Sequence, residues 1–388
     1  MTTAEYIQQS KDAIKNNDIL RAEALLREAV SADAKSVEAK AELARVLLAL
    51  SKIPEANQVV DEGLALNNKH AFALSIKGSL KVLDEKYSEA IQLLKSAVEI
   101  DPSLATAYVN LGIAQREAGF VKDAEANIRK AIAMNPNDYE AHFVLGHTLF
   151  IAEKFEDGIL ATIESIKINP GFVKGYLALG GLYNVGGRPD LAEQLYDECL
   201  KRIPEAIIVR EKLQELYLEH KKFDAAQGEM ELIAHQRGTI DDWMKLGNIS
   251  IIARKFKVAE LAFRKAAEME PEAWEPHYNL GDLYDAAGLI DAAGKEYELA
   301  VKFNSGSYKP HNGMGLWLMR QNKLEESITQ LTKAHQQAPS APEPAYNLAL
   351  VLVKANQTEQ AKGLLKEVVT NPKATKIAQD AQRLLCTL

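Results

Sequence analysis

A small residue returns at the same phase every 34 positions along most of this chain. Counted from Ala105, the period sets repeat starts at Thr3, Val37, Ala71, Ala105, Tyr139, Val173 and Ile207. The Ile207 repeat is one residue short. The next repeats begin at Ile240, Trp274, Tyr308 and Pro342, giving eleven repeats that end at Thr375. A repeat of this length is one supersecondary unit that cannot bury its apolar face alone. It must stack on its neighbours, and that requirement governs every other reading of the chain.

The eighth position is small in most repeats: Ala44, Gly78, Gly112, Gly146, Gly180, Gly247, Gly281, Gly315 and Ala349. The twentieth is small as well, Ala in nine repeats, Gly158 in one and Ser327 in another. A mid-helix glycine costs about 1 kcal/mol against Ala. Seven glycines at one phase therefore need a packing reason, and two antiparallel helices crossing at close range supply it. Leu at the seventh position (Leu43, Leu111, Leu145, Leu179, Leu213, Leu246, Leu280, Leu348) and a large apolar residue at the twenty-fourth (Leu94, Ile128, Tyr196, Phe263, Tyr297) fill the space around the crossing. Pro at the thirty-second (Pro102, Pro136, Pro170, Pro204, Pro271, Pro339) ends the second helix, because it lacks an N–H and disfavours helix at the residue before it. Gly119, Gly187 and Gly288, at the fifteenth, suit the chain reversal between the two helices.

This set of markers resembles the tetratricopeptide repeat family, and the resemblance covers residues 3 to 375. It implies an all-α fold: a right-handed superhelical solenoid of antiparallel helix pairs. Residues 3–206 form repeats one to six, 207–239 an irregular seventh, 240–375 repeats eight to eleven, and 376–388 a capping helix, in one continuous solenoid. The seventh repeat has Gln214 where Gly is expected and Gly238 where Pro is expected, which predicts a local change of path or a joint. The aromatic usual at the fourth position appears as Tyr108, Tyr176 and Trp243, but His stands at 142, 277 and 311 and Arg at 210. Ile377, Ala381, Leu384, Leu385 and Leu388 share one helical face and read as the cover of the last repeat. Tyr6, Ala13 and Ile14 give the first helix an inward stripe, so both ends are expected to be capped.

The formal net charge of -8 argues against a nucleic-acid partner, which would call for a basic stripe. Two cysteines without a CxxC pair fit a reducing compartment. The opening segment "MTTAEYIQQSKDAIKNN" lacks the apolar core of a signal peptide. No apolar run approaches the roughly 20 residues that span a bilayer. A cytoplasmic protein without direct membrane insertion is the expectation. No GxxxxGK[ST], HExxH or GxSxG motif is present, so neither catalysis nor a cofactor is expected. Gly180–Gly181 and Gly186–Gly187 fall at the crossing and reversal phases. His142 and His147 are five apart, the wrong spacing for metal ligation from one helix face. Cys199 sits where other repeats have Ala and reads as a buried small residue.

The resemblance further implies that the first helix of each repeat lines a concave groove through its second, fifth, sixth, ninth, twelfth and thirteenth positions. In repeats four to six these include Val109, Asn110, Ile113, Phe143, His147, Phe150, Ile151, Leu177 and Asn184. The large apolar residues among them read either as a partner site or as packing against a neighbouring repeat. In repeats eight to eleven they include Asn248, Tyr278, Asn279, Asp282, Lys309, Asn312, Tyr346 and Asn347. Asn both donates and accepts, which suits an extended peptide backbone. The other reading is that these Asn residues tie repeats together. Asn at the sixth position is similar to the peptide-binding arrays of O-linked N-acetylglucosamine transferases and kinesin light chains. The carboxylate clamp of co-chaperone members is only partly matched. Asn248, Asn279 and Lys309 fit it, but Met244 and Gly313 stand where cations are required. RNA-reading pentatricopeptide arrays are disfavoured by the period and the acidic charge. The expected function is a non-catalytic scaffold or adaptor that holds an extended peptide or amphipathic helix of another protein. Self-association through the groove and a targeting role in an enzyme complex are the alternatives.

Overall fold

A computed structural model describes residues 1–304 and 306–388 of the chain. The described residues form helices throughout, in two compact units, Met1–Pro204 and Glu205–Leu388. The first unit holds α1 (Thr3–Lys15), α2 (Ile19–Ala32), α3 (Val37–Ala49), α4 (Ile53–Leu66), α5 (Ala71–Leu83), α6 (Tyr87–Ile100), α7 (Ala105–Glu117), α8 (Val121–Met134), α9 (Tyr139–Ile151), α10 (Phe155–Ile168), α11 (Val173–Val185) and α12 (Pro189–Arg202). The second holds α13 (Ile207–Glu219), α14 (Phe223–Arg237), α15 (Ile240–Ile252), α16 (Phe256–Met269), α17 (Trp274–Ala286), α18 (Ile290–Lys302), α19 (Lys309–Arg320), α20 (Leu324–Gln337), α21 (Pro342–Lys354), α22 (Thr358–Thr370) and α23 (Thr375–Thr387). Each odd-numbered helix up to α21 opens where the period puts a repeat start, except α19, which opens one residue late because Tyr308 is its N-cap. The irregular seventh repeat lies in the second unit.

The close crossing is real and has one partner in every glycine repeat. A Cβ built on Gly78, Gly112, Gly146, Gly180, Gly247, Gly281 or Gly315 would lie 2.3–2.8 Å from the side chain sixteen residues on: Leu94, Ile128, Thr162, Tyr196, Phe263, Tyr297 or Leu331. Such approaches are closer than any real Cβ tolerates, so the twenty-fourth side chain rests on bare glycine backbone. Those side chains are almost wholly buried. Repeat five is the variant: Gly158 replaces the usual Ala at the twentieth position, and the Phe150 ring fills the vacancy, 2.9 Å from where a Cβ would sit. Phe150 therefore packs within its own helix pair and is not a free groove residue. In repeat seven, Gln214 takes the glycine position and faces buried Met230, whose unbranched chain adapts where a branched or aromatic one would not.

The reversal inside each repeat is more general than its glycines suggest. All eleven fifteenth positions adopt left-handed backbone, and eight of them are not glycine: Asn17, Ser51, Glu85, Glu153, Lys221, Arg254, Asn322 and Asn356. In every repeat the next N–H closes on the carbonyl five residues back, as from Lys52 to Leu47 at 2.9 Å, the Schellman arrangement that satisfies orphan carbonyls at a helix end. Neighbouring repeats are also joined by side chains. Lys52 donates to Glu23 at 2.8 Å, Lys154 to Glu125 at 2.8 Å and Lys255 to Gln227 at 2.7 Å, each linking the twenty-first position to the sixteenth of the next repeat. The closing helix α23 lays Ile377, Leu384, Leu385 and Leu388 against the core of the last repeat and buries Ala381 completely.

The seventh repeat ends in a tight junction. α14, at 15 residues, is the longest second helix of the array, and only Gly238, left-handed, and Thr239 separate it from α15. Thr239 and Asp242 form a capping box. Asp242, fully buried, accepts from Arg237 at 2.6 and 2.9 Å, and Arg237 also reaches Glu211 at 2.8 Å. The Arg237 guanidinium, aided by the Thr239 hydroxyl and N–H, holds the Asp242 carboxyl at about 2. The missing residue and the missing Pro thus produce a pinned corner between these helices.

Two outcomes test this account. Gly180→Ala is expected to cost about 1–3 kcal/mol by overpacking against Tyr196. Gly181→Ala, beside it on α11 with open space around its Cβ, is expected to gain up to about 1 kcal/mol from helix propensity. Urea unfolding of the two variants should therefore move in opposite directions. Asp242→Asn is expected to lower stability by about 2 kcal/mol at neutral pH. Because the carboxyl is depressed in the folded state, its contribution is full above about pH 4 and fades as pH falls through about 2. The wild-type advantage in chemical-denaturation curves should close over that interval.

Candidate binding grooves

Within a first helix, the sixth, ninth, twelfth and thirteenth positions fall on one face by helical spacing. In the first unit, α3, α5 and α7 enclose a hollow of about 630 Å³. Leu48, Ile53, Val82, Leu83 and Ile113 line it, with Ser51, Ser79, Asp84 and Asn110 as the polar members. Leu83 is 58% exposed, so no part of this unit covers it. Asn110 is half-buried, and among the described residues its side chain has no hydrogen-bond partner. Its amide stands ready to donate and accept in an apolar setting. Sequence reasoning picked out Asn110 and Ile113 but missed the larger share of the wall, which comes from repeats two and three. The same position rule, applied to Leu48, Val82 and Leu83, would have found it.

The remaining expected residues of the first unit have mixed fates. Val109 is half-buried on α7. Phe143 meets Phe172 edge-on at 5.2 Å, and Tyr139 meets the same ring at 4.9 Å, so Phe143 packs against the last residue of its own repeat, the N-cap of α11. His147 is exposed, and crowding by surrounding protein and then the nearby Arg116 charge hold its pKa below the usual value. Asn184 is half-buried and has a partner inside the protein. Ile151 and Val185, at the thirteenth position, are exposed.

In the second unit the Asn residues divide. Asn347 is 8% exposed and Asn312 4%, and Asn347 Nδ2 donates to Asn312 Oδ1 at 2.9 Å. These two tie repeat ten to repeat eleven, the alternative reading offered for the Asn residues, and Asn312 also borders a hollow of this unit. Asn279 is half-buried and has no hydrogen-bond partner among the described residues. Asn248 is exposed and lines a hollow of about 480 Å³ with Gln214, Met230 and Arg237. Lys309 is exposed, and Tyr346 is half-buried, its hydroxyl pKa raised by burial. Tyr278 meets Trp274 at 6.1 Å and Tyr297 at 6.3 Å. A further hollow of about 460 Å³ lies over Gly313, lined by Tyr278, Tyr297, Asp282, Asp285, Arg320 and Glu343 among others. Burial raises the hydroxyl pKa of both Tyr278 and Tyr297, and crowding by protein raises that of the Asp282 carboxyl.

The fourth-position histidines are part of the scaffold that aims these helices. His277 faces Glu296 with Nδ1 at 2.7 Å and the Pro271 carbonyl with Nε2 at 3.2 Å. His311 reaches Gln330 at 2.7 Å, and Arg210 donates to Glu229 at 3.0 Å, each across nineteen residues. Where the usual aromatic is lost, a polar pair between the fourth and twenty-third positions replaces it. His142 has Ala161 at that place and bonds only to the Pro136 carbonyl, at 3.0 Å. Among the described residues, no group of His, Cys, Asp and Glu is arranged to hold a metal ion. No helix is long and apolar enough to cross a membrane. Cys199 is wholly buried, its thiol pushed up to about 11 by desolvation.

Stacked helix pairs with glycine crossings and Schellman turns define a helical-repeat array. Tetratricopeptide repeat models match residues 13–78, 78–119, 109–172, 246–308 and 318–382. The chain belongs to the tetratricopeptide repeat family. It is 25% identical over 169 residues to a probable UDP-N-acetylglucosamine–peptide N-acetylglucosaminyltransferase SPINDLY of Hordeum vulgare, covering 42% of this chain and 18% of that protein. It is 24% identical over 270 residues to a BBSome complex member BBS4 homolog of Drosophila melanogaster, covering 66% of this chain and 55% of that protein. The chain thus spans less than two thirds of either relative. Among solved structures, yeast Tom70 aligns over 99% of this chain and 95% of its own, at 14% identity and a TM-score of 0.43. PilW, a type IV pilus biogenesis factor, aligns over 55% and 97%, at 19% identity and 0.47.

The His277 geometry gives a pH dependence. Both ring nitrogens face acceptors, so only the imidazolium can donate to both. The Glu296 hydrogen bond raises the pKa, burial opposes it, and the net shift is upward. Stability from this pair is therefore full below about 6.5 and is lost as pH rises through the raised value. Glu296→Gln is expected to cost about 1–2 kcal/mol at pH 6 and far less at pH 9. Unfolding curves of both proteins at the two pH values check it.

Proposed function

We propose that this chain is a non-catalytic protein-binding scaffold that holds an extended peptide or the apolar face of a helix from another protein. The observation that carries the reading is the hollow of α3, α5 and α7. It joins exposed Leu83 and half-buried Ile113 to an amide, Asn110, with no hydrogen-bond partner among the described residues. An apolar wall gives a ligand side chain a place to leave water, and an unengaged amide can pair with the ligand backbone that would otherwise lose its hydrogen bonds. A substrate-processing site would gather nucleophiles, bases or metal ligands, whereas this hollow is mainly Leu, Ile and Val, with Asp84 its one ionisable side chain. The Hordeum relative is a glycosyltransferase by name, but only 18% of it is matched. The binding array is the part of that comparison carried here.

The test is a cross-linked pull-down from the native cell with the full chain and an Asn110→Ala/Leu83→Asp double variant. Capture of the principal partner is expected to fall about tenfold or more, equivalent to roughly 1.4 kcal/mol. The melting temperature should stay within about 2 °C, because both side chains lie away from the helix crossings. Undiminished capture, or a loss of stability that matches the loss of capture, removes this groove as the binding face.

A further inference from the structure

The hollow over Gly313 has a chemistry unlike that of a carboxylate clamp. Tyr297 donates its hydroxyl to Asp282 Oδ1 at 2.6 Å from one side. Tyr278 stands one turn before Asp282 on α17 and lines the same hollow. Asp285 is already paired with Arg320, and Glu343 accepts from the Tyr308 hydroxyl at 3.2 Å. Asp282 is exposed and forms no close ion pair among the described residues; Arg320 acts on it only at longer range. Lys309 stands exposed at the start of α19 and does not line the hollow. The space exists because position 313 is glycine. A Cβ there would lie 2.7 Å from Tyr278 and 3.0 Å from Tyr297. The position at which the co-chaperone pattern needs an Arg therefore cannot hold any side chain without moving the two rings.

We propose that this hollow receives a Lys or Arg side chain of a bound peptide, with the cationic head on Asp282 and the stem across Tyr278. The inference rests on the scaffold reading and names a residue class that the second unit selects. Three considerations carry it. Asp282 is an exposed carboxylate hydrogen-bonded to the neutral Tyr297 hydroxyl, and the nearby cation, Arg320, is engaged by Asp285. Tyr278 offers a ring against which a cation gains further attraction. Asp282, Asp285 and Glu343 outweigh Arg320, so the hollow disfavours an anionic ligand group. The volume, about 460 Å³, accommodates a long side chain with water beside it.

The experiment uses the purified full chain on an array of immobilised peptides of about twelve residues. One central position is fixed as Lys, Arg, Ala or Glu in a mixed Ala/Ser/Leu background. Lys and Arg are expected to bind about fivefold or more above Glu, the scale of a partly exposed ion pair with cation–π support. Asp282→Asn, which still accepts from Tyr297, should abolish the preference. Asp282→Lys should turn it toward Glu. Melting curves confirm that each variant is folded, and the two variants fail independently. Peptides that bind without a cation preference, or with one that survives both substitutions, overturn the assignment and leave the scaffold reading standing. An array that retains no peptide removes the scaffold reading and this inference with it.

Discussion

In the seven repeats with glycine at the eighth position, the twenty-fourth side chain lies on that residue's backbone, and much of the architecture of both units follows from that contact. With glycine at the eighth position, a Leu, Ile, Tyr or Phe can sit where a neighbour's Cβ would otherwise be. Burial of such a side chain contributes about 1.5–3 kcal/mol, which outweighs the roughly 1 kcal/mol that a helical glycine forfeits. The contact draws the two helices of a pair together and fixes which faces remain. Those faces are apolar on the sides that meet adjacent repeats, so the pair is stable only in a stack. The first helices are left with their outer positions uncovered, and the grooves are what remains after packing is complete.

The contact is adjusted locally instead of being repeated unchanged. Thr162 is the smallest of the glycine-facing twenty-fourth residues, and in the same repeat Gly158 makes room for Phe150 to swing in from the other helix. Gln214 removes the glycine altogether and is met by Met230. The fourth position shows the same economy. Tyr108 binds Lys130 through its hydroxyl at 2.7 Å, while His277, His311 and Arg210 find acceptors at the twenty-third position. Most substitutions that look like decay of the repeat in sequence are matched by a second residue that restores packing or hydrogen bonding, His142 being the exception.

Legibility followed the same physics. Glycine at 180 and Tyr at 196 could be read together because steric exclusion leaves a residue-type signature at fixed spacing. The left-handed turn at Glu85, Lys221 or Arg254 could not, since the Schellman hydrogen bonds are made by backbone and ask nothing of those side chains. The Asn residues fell between these cases. A shared sixth position put Asn110, Asn279 and Asn347 on the same helix face, but whether an amide is free depends on the residue across the repeat boundary. Asn347 faces Asn312, and that pairing buries both. Asn110 faces aliphatic neighbours and keeps its amide. Tyr297 read as core, which it is, yet its hydroxyl also sets the Asp282 carboxylate in the groove.

That double role explains how a groove acquires its selectivity in such an array. A core residue at the twenty-fourth position passes behind the glycine and can show its far end on the groove side. Where the residue is Leu94 or Ile128, nothing polar emerges, and the hollow of the first unit stays aliphatic apart from its rim and Asn110. Where it is Tyr297, a hydroxyl emerges and needs an acceptor, because a buried phenol left unpaired would cost about 1–3 kcal/mol. Asp282 supplies that acceptor, and a negative charge enters the groove as a consequence of how the core was filled. Groove chemistry is therefore constrained by the crossing contact itself: the choice of side chain that holds two helices together also decides what those helices can offer a ligand.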